Sequence, residues 1–132
     1  MKISIITVCY NAEKTIADAM ESVLRQKPQN GLFDCSDCSD CSIARGVEIE
    51  YIVVDGGSTD GTVGEIKNYE LRIRNGGSKG FSFKWVSEQD RGMYDALNKG
   101  MRMATGDVIG ILNADDVLAE EDTLARIARL FD

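Results

Sequence analysis

The tightest constraint on this chain lies at residues 3–8, Ile-Ser-Ile-Ile-Thr-Val, a nearly unbroken apolar run rich in Ile and Val. A strand with one wet face alternates polar and apolar residues. A strand that does not alternate is covered on both faces, which is the habit of parallel sheets flanked by helices. The unit then recurs. Asn11 stands where a helix would be capped, Ile16, Met20, Val23 and Leu24 follow at i, i+4, i+7 and i+8, and Pro28 ends the helix. Residues 49–54 read as a second strand, 62–70 as a shorter helix, 74–80 as a Gly-rich connection and 81–86 as an alternating strand. From Met93 onward, Ala96, Leu97, Gly100, Met101 and Ala104 fall on one helical face, and Gly106 suits the position just past the helix end. Residues 108–112 form a fourth strand. A last helix from about residue 120 carries Glu120, Glu121 and Asp122 at its start and Arg126 and Arg129 near its finish, in keeping with the helix dipole. Four β-α units predict an α/β fold with a parallel, doubly wound sheet and helices on both faces. At 132 residues the chain holds one domain of ordinary size.

Ligands of such sheets bind outside the carboxyl ends of the strands. Three polar clusters fall at those ends: Cys9-Tyr10-Asn11, Asp55 to Asp60, and Asn113 to Asp116. They are expected to line one crevice. Asn113, Asp115 and Asp116 offer hard oxygen ligands suited to Mg²⁺ or Mn²⁺, and they are also the residue types of a solvated turn before a helix. Asp55 can accept an N–H from a base or a sugar hydroxyl, while Gly56 and Gly57 let the backbone approach a ligand closely. The same run, with Ser58 and Asp60, reads equally as a strand-to-helix turn with good capping chemistry. It lacks both the G-x-G-x-x-G and the Walker fingerprints. Tyr10 can stack on a flat base or pack at the sheet edge. Arg91 and Lys99 are the cations at hand for a phosphate, or simply helix-end charges, and Asp95 reads as a capping residue rather than a catalyst.

Composition narrows the chemistry. The chain has no histidine, so Ser-His and Cys-His nucleophile pairs are excluded within it, and acid–base or metal chemistry must rest on carboxylates. Its 15 Lys and Arg against 22 Asp and Glu leave a formal charge of −7, which argues against nucleic acid as a partner and against a basic membrane-binding face. No apolar run approaches the roughly 18 residues needed to cross a bilayer, and no small-residue cleavage site follows the apolar start, so the chain reads as soluble and cytoplasmic. Cys35, Cys38 and Cys41 fall in the repeat DCSDCSDCS. A closed zinc or iron–sulfur site usually wants four ligands, so residues 29–46 read as a disordered, acidic, low-complexity loop insertion, with metal binding by its thiolates as the lesser reading.

The three motifs SIITVCYNAEKTI, YIVVDGGSTDGT and QDRGMYDALNKGMRMATGDVIGILNADD, in that order, resemble the N-terminal half of the inverting family-2 glycosyltransferases. The likeness covers nearly the whole chain outside the Cys-rich loop. Within that family the chain is most similar to bacterial enzymes of capsule, O-antigen and colanic-acid-type polysaccharide assembly, which share the DxGxYDAxNKG run. The resemblance implies the GT-A fold, Rossmann-like and here truncated to its donor-binding half, with residues 1–132 forming one unit. It implies a UDP- or GDP-sugar donor, a glycan or lipid-linked acceptor, and peripheral association of the full enzyme with the inner face of the membrane. It further implies that Thr7, Val8 and Tyr10 border the base, that Asp55 accepts a base N–H, and that Asp90 contacts the nucleotide. Asp115 and Asp116 would hold a divalent cation, with Asn113 at the first position of the family's DxD motif, bridging the diphosphate. Such a cation would explain how so acidic a chain binds a phosphorylated ligand. The sequence departs from its relatives at Asn113, at Leu97 where many carry Arg, and at Gly56 where others often carry a second Asp. The inverting base is expected beyond residue 132, which predicts a chain that binds donor without transferring it. The alternative is a non-catalytic nucleotide-binding module using the same crevice.

Overall fold

A computed structural model describes residues 2–25, 48–76, 81–89, 91–118 and 123–131. Its elements follow the order β1 (Lys2–Cys9), α1 (Ile16–Leu24), β2 (Glu48–Asp55), α2 (Thr62–Gly76), β3 (Phe81–Ser87), α3 (Met93–Met103), β4 (Val108–Ile111) and α4 (Thr123–Phe131). The described strands form one sheet in the order β3-β2-β1-β4, and every pair is parallel. The chain builds outward from β1 through β2 to β3, then crosses to the opposite side for β4. The order therefore reverses at β1, the place where such sheets leave a crevice for a ligand.

Central position explains the apolar runs. β1 and β2 each have a strand on both sides and helices above and below, so Ile3, Ile6, Ile49, Ile52, Val53 and Val54 are essentially fully buried. Each such side chain contributes roughly 1.5–3 kcal/mol relative to exposure. Alternate residues serve opposite faces. Ile3, Ile5, Ile49, Tyr51 and Val53 pack with α1, α2 and Leu124 of α4, whereas Ile6, Ile52 and Val54 pack with Ala96 of α3. Among the described residues no helix is long and apolar enough to cross a membrane.

Four local expectations are corrected. Asn11 does not cap α1: the helix begins at Ile16 after Thr15, and Asn11 holds a left-handed backbone with φ 49°. Helix α2 does not stop near residue 70 but runs to Gly76. Tertiary anchors carry the extra turn, since Glu70 accepts the Trp85 indole N–H at 2.9 Å, Arg72 pairs with Glu21 of α1, and Ile73 packs on the core. Gly106 does not terminate α3, whose last residue Met103 is followed by an extended Ala104. It is small because β1 passes over it: a β-carbon there would lie 2.4 Å from the Ser4 hydroxyl and 2.8 Å from the Ser4 amide. Strand β4 closes at Ile111, one residue short of the expected end. The Cys-rich segment, with Cys35, Cys38 and Cys41, Pro28, and the acidic start expected for the last helix at residues 120–122 lie outside the described residues.

Candidate functional site

At the carboxyl ends of β1, β2 and β3 the chain leaves a cavity of about 760 Å³. Val8, Cys9 and Tyr10 wall it from the end of β1, Gly56 and Gly57 form its floor, and Gln89, Gly92 and Met93 close the side toward α3. Tyr10 leaves 62% of its surface exposed, so its ring is free to stack on a flat ligand. Gly57 takes φ +87° and Gly92 φ +120°, conformations that favour glycine and let the main chain itself form the lining.

Beneath the floor lies Asp55, which is fully buried. Its Oδ1 accepts hydrogen bonds from the Ser58 hydroxyl (2.5 Å) and the Cys9 thiol (3.4 Å), and its Oδ2 from the amides of Gly57 (3.2 Å) and Ser58 (2.9 Å) and the Ser87 hydroxyl (2.7 Å). Burial works against the charged form. The bonds from Ser58, Ser87 and Cys9 outweigh it and hold the carboxyl below its ordinary value. The Asp55 carbonyl also accepts the Glu88 amide at 3.0 Å, so the carboxylate and its own main chain fasten the end of β3 to the turn after β2.

A second set of bonds joins the two loops beside the cavity. The Ser58 hydroxyl accepts the Asn11 amide (2.7 Å), Asn11 Oδ1 accepts the Thr59 amide (2.9 Å), the Thr62 hydroxyl accepts the Ala12 amide (2.8 Å), and Glu13 Oε2 accepts the Gly61 amide (3.0 Å). The left-handed turn at Asn11 is what aims its side chain across the gap. Asn is among the few non-glycine residues that hold this conformation readily.

The acidic turn at residues 113–116 emerges from β4, next to β1. The Leu112 amide bonds to the Ile6 carbonyl at 2.9 Å, and extending the β1–β4 register sets Asn113 opposite Val8. Asn113, Asp115 and Asp116 are exposed. The Asp116 amide bonds to the Asn113 carbonyl, and the Asn113 amide group reaches Asp116 Oδ2 at 3.3 Å. No cluster of three or more Asp, Glu, Cys or His side chains able to hold a metal occurs among the described residues. Two neighbouring carboxylates and an amide remain a fitting partial shell for a hard cation, since Mg²⁺ is usually held by one or two carboxylates with phosphates and waters completing the set.

Of the residues predicted from sequence, Val8 and Tyr10 line the cavity, and Asn113, Asp115 and Asp116 stand at the adjoining strand end. Thr7 is turned away: it is fully buried on the α1–α2 side and shares a 2.8 Å hydrogen bond with the Tyr51 hydroxyl. Asp90 lies outside the described residues. Arg91 is exposed, and its amide donates to Asp95 Oδ2 at 3.0 Å; Arg91 precedes the N-cap Gly92, so Asp95 fastens the approach to α3 and does not cap one of its helical amides. Lys99 is engaged by Glu88 at 3.1 Å and Asp95 at 3.8 Å. Sequence reasoning did not single out Gln89, Met93 or Ser87 as parts of the site. The available signal was position, for Ser87 and Gln89 sit between the end of a predicted strand and the next helix, and Met93 opens that helix.

Comparison with known proteins gives a consistent result. The family model described as glycosyl transferase family 2 matches residues 4–132. A PGL/p-HBAD biosynthesis glycosyltransferase of Mycobacterium bovis (strain BCG / Pasteur 1173P2) is 44% identical over 125 residues, covering 95% of this chain and 40% of the relative. An uncharacterized glycosyltransferase of Mycobacterium tuberculosis (strain ATCC 25618 / H37Rv) is 32% identical over 124 residues, covering 94% of this chain and 37% of that one. The chain thus spans about 40% of the length of the first of these curated relatives. Among solved structures, the mannosyltransferase PcManGT from Pyrobaculum calidifontis, in complex with GDP-Man and Mn²⁺, superimposes with a TM-score of 0.72 at 26% identity over 98% of this chain and 32% of its own. S. aureus TarS 1–349 in complex with UDP-GlcNAc has the same fold, with a TM-score of 0.70 at 24% identity over 100% of this chain and 31% of its own.

Proposed function

The chain belongs to glycosyl transferase family 2 and has the GT-A fold, and on that premise we propose that its cavity is the donor site of an enzyme of bacterial surface-polysaccharide assembly. The donor is a UDP- or GDP-sugar. The intact enzyme transfers the sugar, with inversion, to a hydroxyl of a glycan or lipid-linked acceptor. The observation that carries this reading is an open cavity, bordered by Tyr10 and floored by glycines, at the same carboxyl edge of the sheet from which the acidic turn emerges after the neighbouring strand. Tyr10 stacks on the base, Val8 borders it, and the glycine floor lets the nucleotide lie against main chain. Asp115 and Asp116, with Asn113, would hold a divalent cation, which when bound offsets the charge of the diphosphate. Support comes from PcManGT, whose structure holds GDP-Man and Mn²⁺, and from TarS, seen with UDP-GlcNAc. Asp90 rests on the motif resemblance alone.

Among the described residues that line the cavity there is no carboxylate and no lysine to act as a general base. The chain is therefore expected to bind donor without transferring it. Calorimetry with UDP and with GDP, each with Mn²⁺ and then with chelator, tests the binding. Expected are saturable heat with one nucleotide and a loss on the order of tenfold or more in affinity on chelation or in Asp115→Ala. Heat with neither nucleotide, or affinity indifferent to Asp115, refutes the donor-site reading.

A further inference from the structure

Resting on the donor-site reading, we infer that Asp55 is a positioning residue that does not touch the nucleotide: its buried carboxylate draws Cys9, the Gly57–Ser58 turn and Ser87 together beneath the cavity, and neutral groups above it read the base. Three observations carry this. First, Asp55 is fully buried, whereas the groups lining the cavity above it are the main chain of Gly56 and Gly57. Second, both of its oxygens are already committed within the protein, Oδ1 to Ser58 and Cys9, Oδ2 to Gly57, Ser58 and Ser87. A base N–H could reach either oxygen only by displacing one of these donors and leaving it unsatisfied in the interior, which exchanges one hydrogen bond for another and gains nothing net. Third, the donors come from the ends of all three strands that frame the cavity. Removing the carboxylate would release the floor, the Cys9 wall and the end of β3 that leads into Gln89, while leaving their own groups in place.

Positioning by Asp55 separates from direct contact in a cycle that alters the ligand as well as the residue. The chain is titrated with whichever of UDP and GDP it binds, in the presence of Mn²⁺, and with the same nucleotide methylated at the base N–H, N3-methyl-UDP or N1-methyl-GDP. If Asp55 only positions, Asp55→Asn weakens the parent and the methylated nucleotide alike, by about three- to tenfold, so the methylation penalty stays within about twofold of wild type. If Asp55 accepts that N–H, the penalty falls by more than about twofold in Asp55→Asn, whose neutral amide oxygen is a weaker acceptor than the carboxylate, and the inference is overturned. Should Asp55→Asn fail to fold, Ser87→Ala serves in its place, because it removes one of the three donors to Oδ2 while keeping the carboxylate. Positioning predicts a loss of about threefold for both ligands with the penalty unchanged, and direct contact predicts a changed penalty. Wild-type chain that binds neither nucleotide removes the donor-site reading and this inference together, whereas a penalty that changes by more than about twofold in the variants removes this inference alone.

Discussion

Single residues show how closely this fold is packed around its site. Gly100 lies on α3 against the sheet, where a β-carbon would come within 2.6 Å of Ile6 Cγ2 and 3.4 Å of Val54 Cγ2. Gly100→Ala gains up to about 1 kcal/mol of helix propensity and loses about 1–3 kcal/mol to overpacking, because Ile6 is fully buried and has nowhere to retreat. Urea denaturation is expected to show net destabilisation. Gly57 makes the contrasting case. Its β-carbon would meet the Gln89 backbone at an ordinary 3.4 Å, but φ +87° strains any L side chain by about 1–2 kcal/mol. Gly57→Ala is expected to lower both stability and nucleotide affinity, and unchanged affinity in calorimetry would show that the floor does not contact the ligand. The sequence marked both positions as glycines. Only the structure distinguishes a glycine required by a neighbour from one required by its own backbone.

At the scale of elements, the site is two loops held as one. The turn after β1 and the turn after β2 exchange hydrogen bonds through Asn11, Glu13, Ser58 and Thr62, so neither is free to move alone. Asn11 contributes in two ways, by its left-handed backbone and by its bond to the Thr59 amide. Asn11→Gly keeps the first and loses the second, while Asn11→Ala loses both. Thermal unfolding is expected to rank wild type above Gly and Gly above Ala, with Ala lower than wild type by about 2 kcal/mol. Equal values for Gly and Ala would assign the whole effect to the side-chain bond. Elements were legible in the sequence where periodicity is strong, as in β1, β2 and α3. The reading failed at Asn11, read as a helix cap because Asn commonly is one, and at α2, whose last turn depends on Trp85 and Arg72 reaching partners distant in sequence.

For the molecule as a whole, the end of the sheet away from the cavity contributes to acid stability. Glu50 is buried at the face of β2, where it accepts bonds from Lys84 of β3 (2.8 Å), Ser4 of β1 (2.7 Å), and the amide and hydroxyl of Thr105 (2.8 and 2.9 Å). Burial raises its pKa, but Lys84, Thr105 and Ser4 outweigh burial and bring it from 4.5 down to about 2. A folded value below the unfolded one means that the stabilisation is complete above about pH 4.5 and is lost as pH falls toward 2. A shift of that size amounts to about 3 kcal/mol. Glu50→Gln is expected to lose about that much at pH 7, with the gap to wild type closing as pH approaches 2. Its nucleotide affinity should be unchanged, since Glu50 sits five residues along β2 from Asp55, roughly 16 Å. A gap independent of pH would refute the network's role.

By itself the sequence determined the order and type of the elements, the carboxyl-end placement of Tyr10, Asp55 and the turn at residues 113–116, and the family. These are local or periodic properties, carried by unbroken apolar runs and by polar clusters that no strand or helix could absorb. Tertiary structure alone decided what each polar residue faces. Thr7 and Asp55 are turned into the interior and Glu50 into a buried network, while Gln89 and Met93 are brought to the cavity wall. The physical reason is that a carboxylate's role depends on which donors the fold delivers to it. Those of Asp55 come from β1, from β3 and from its own turn, segments whose meeting no local pattern records.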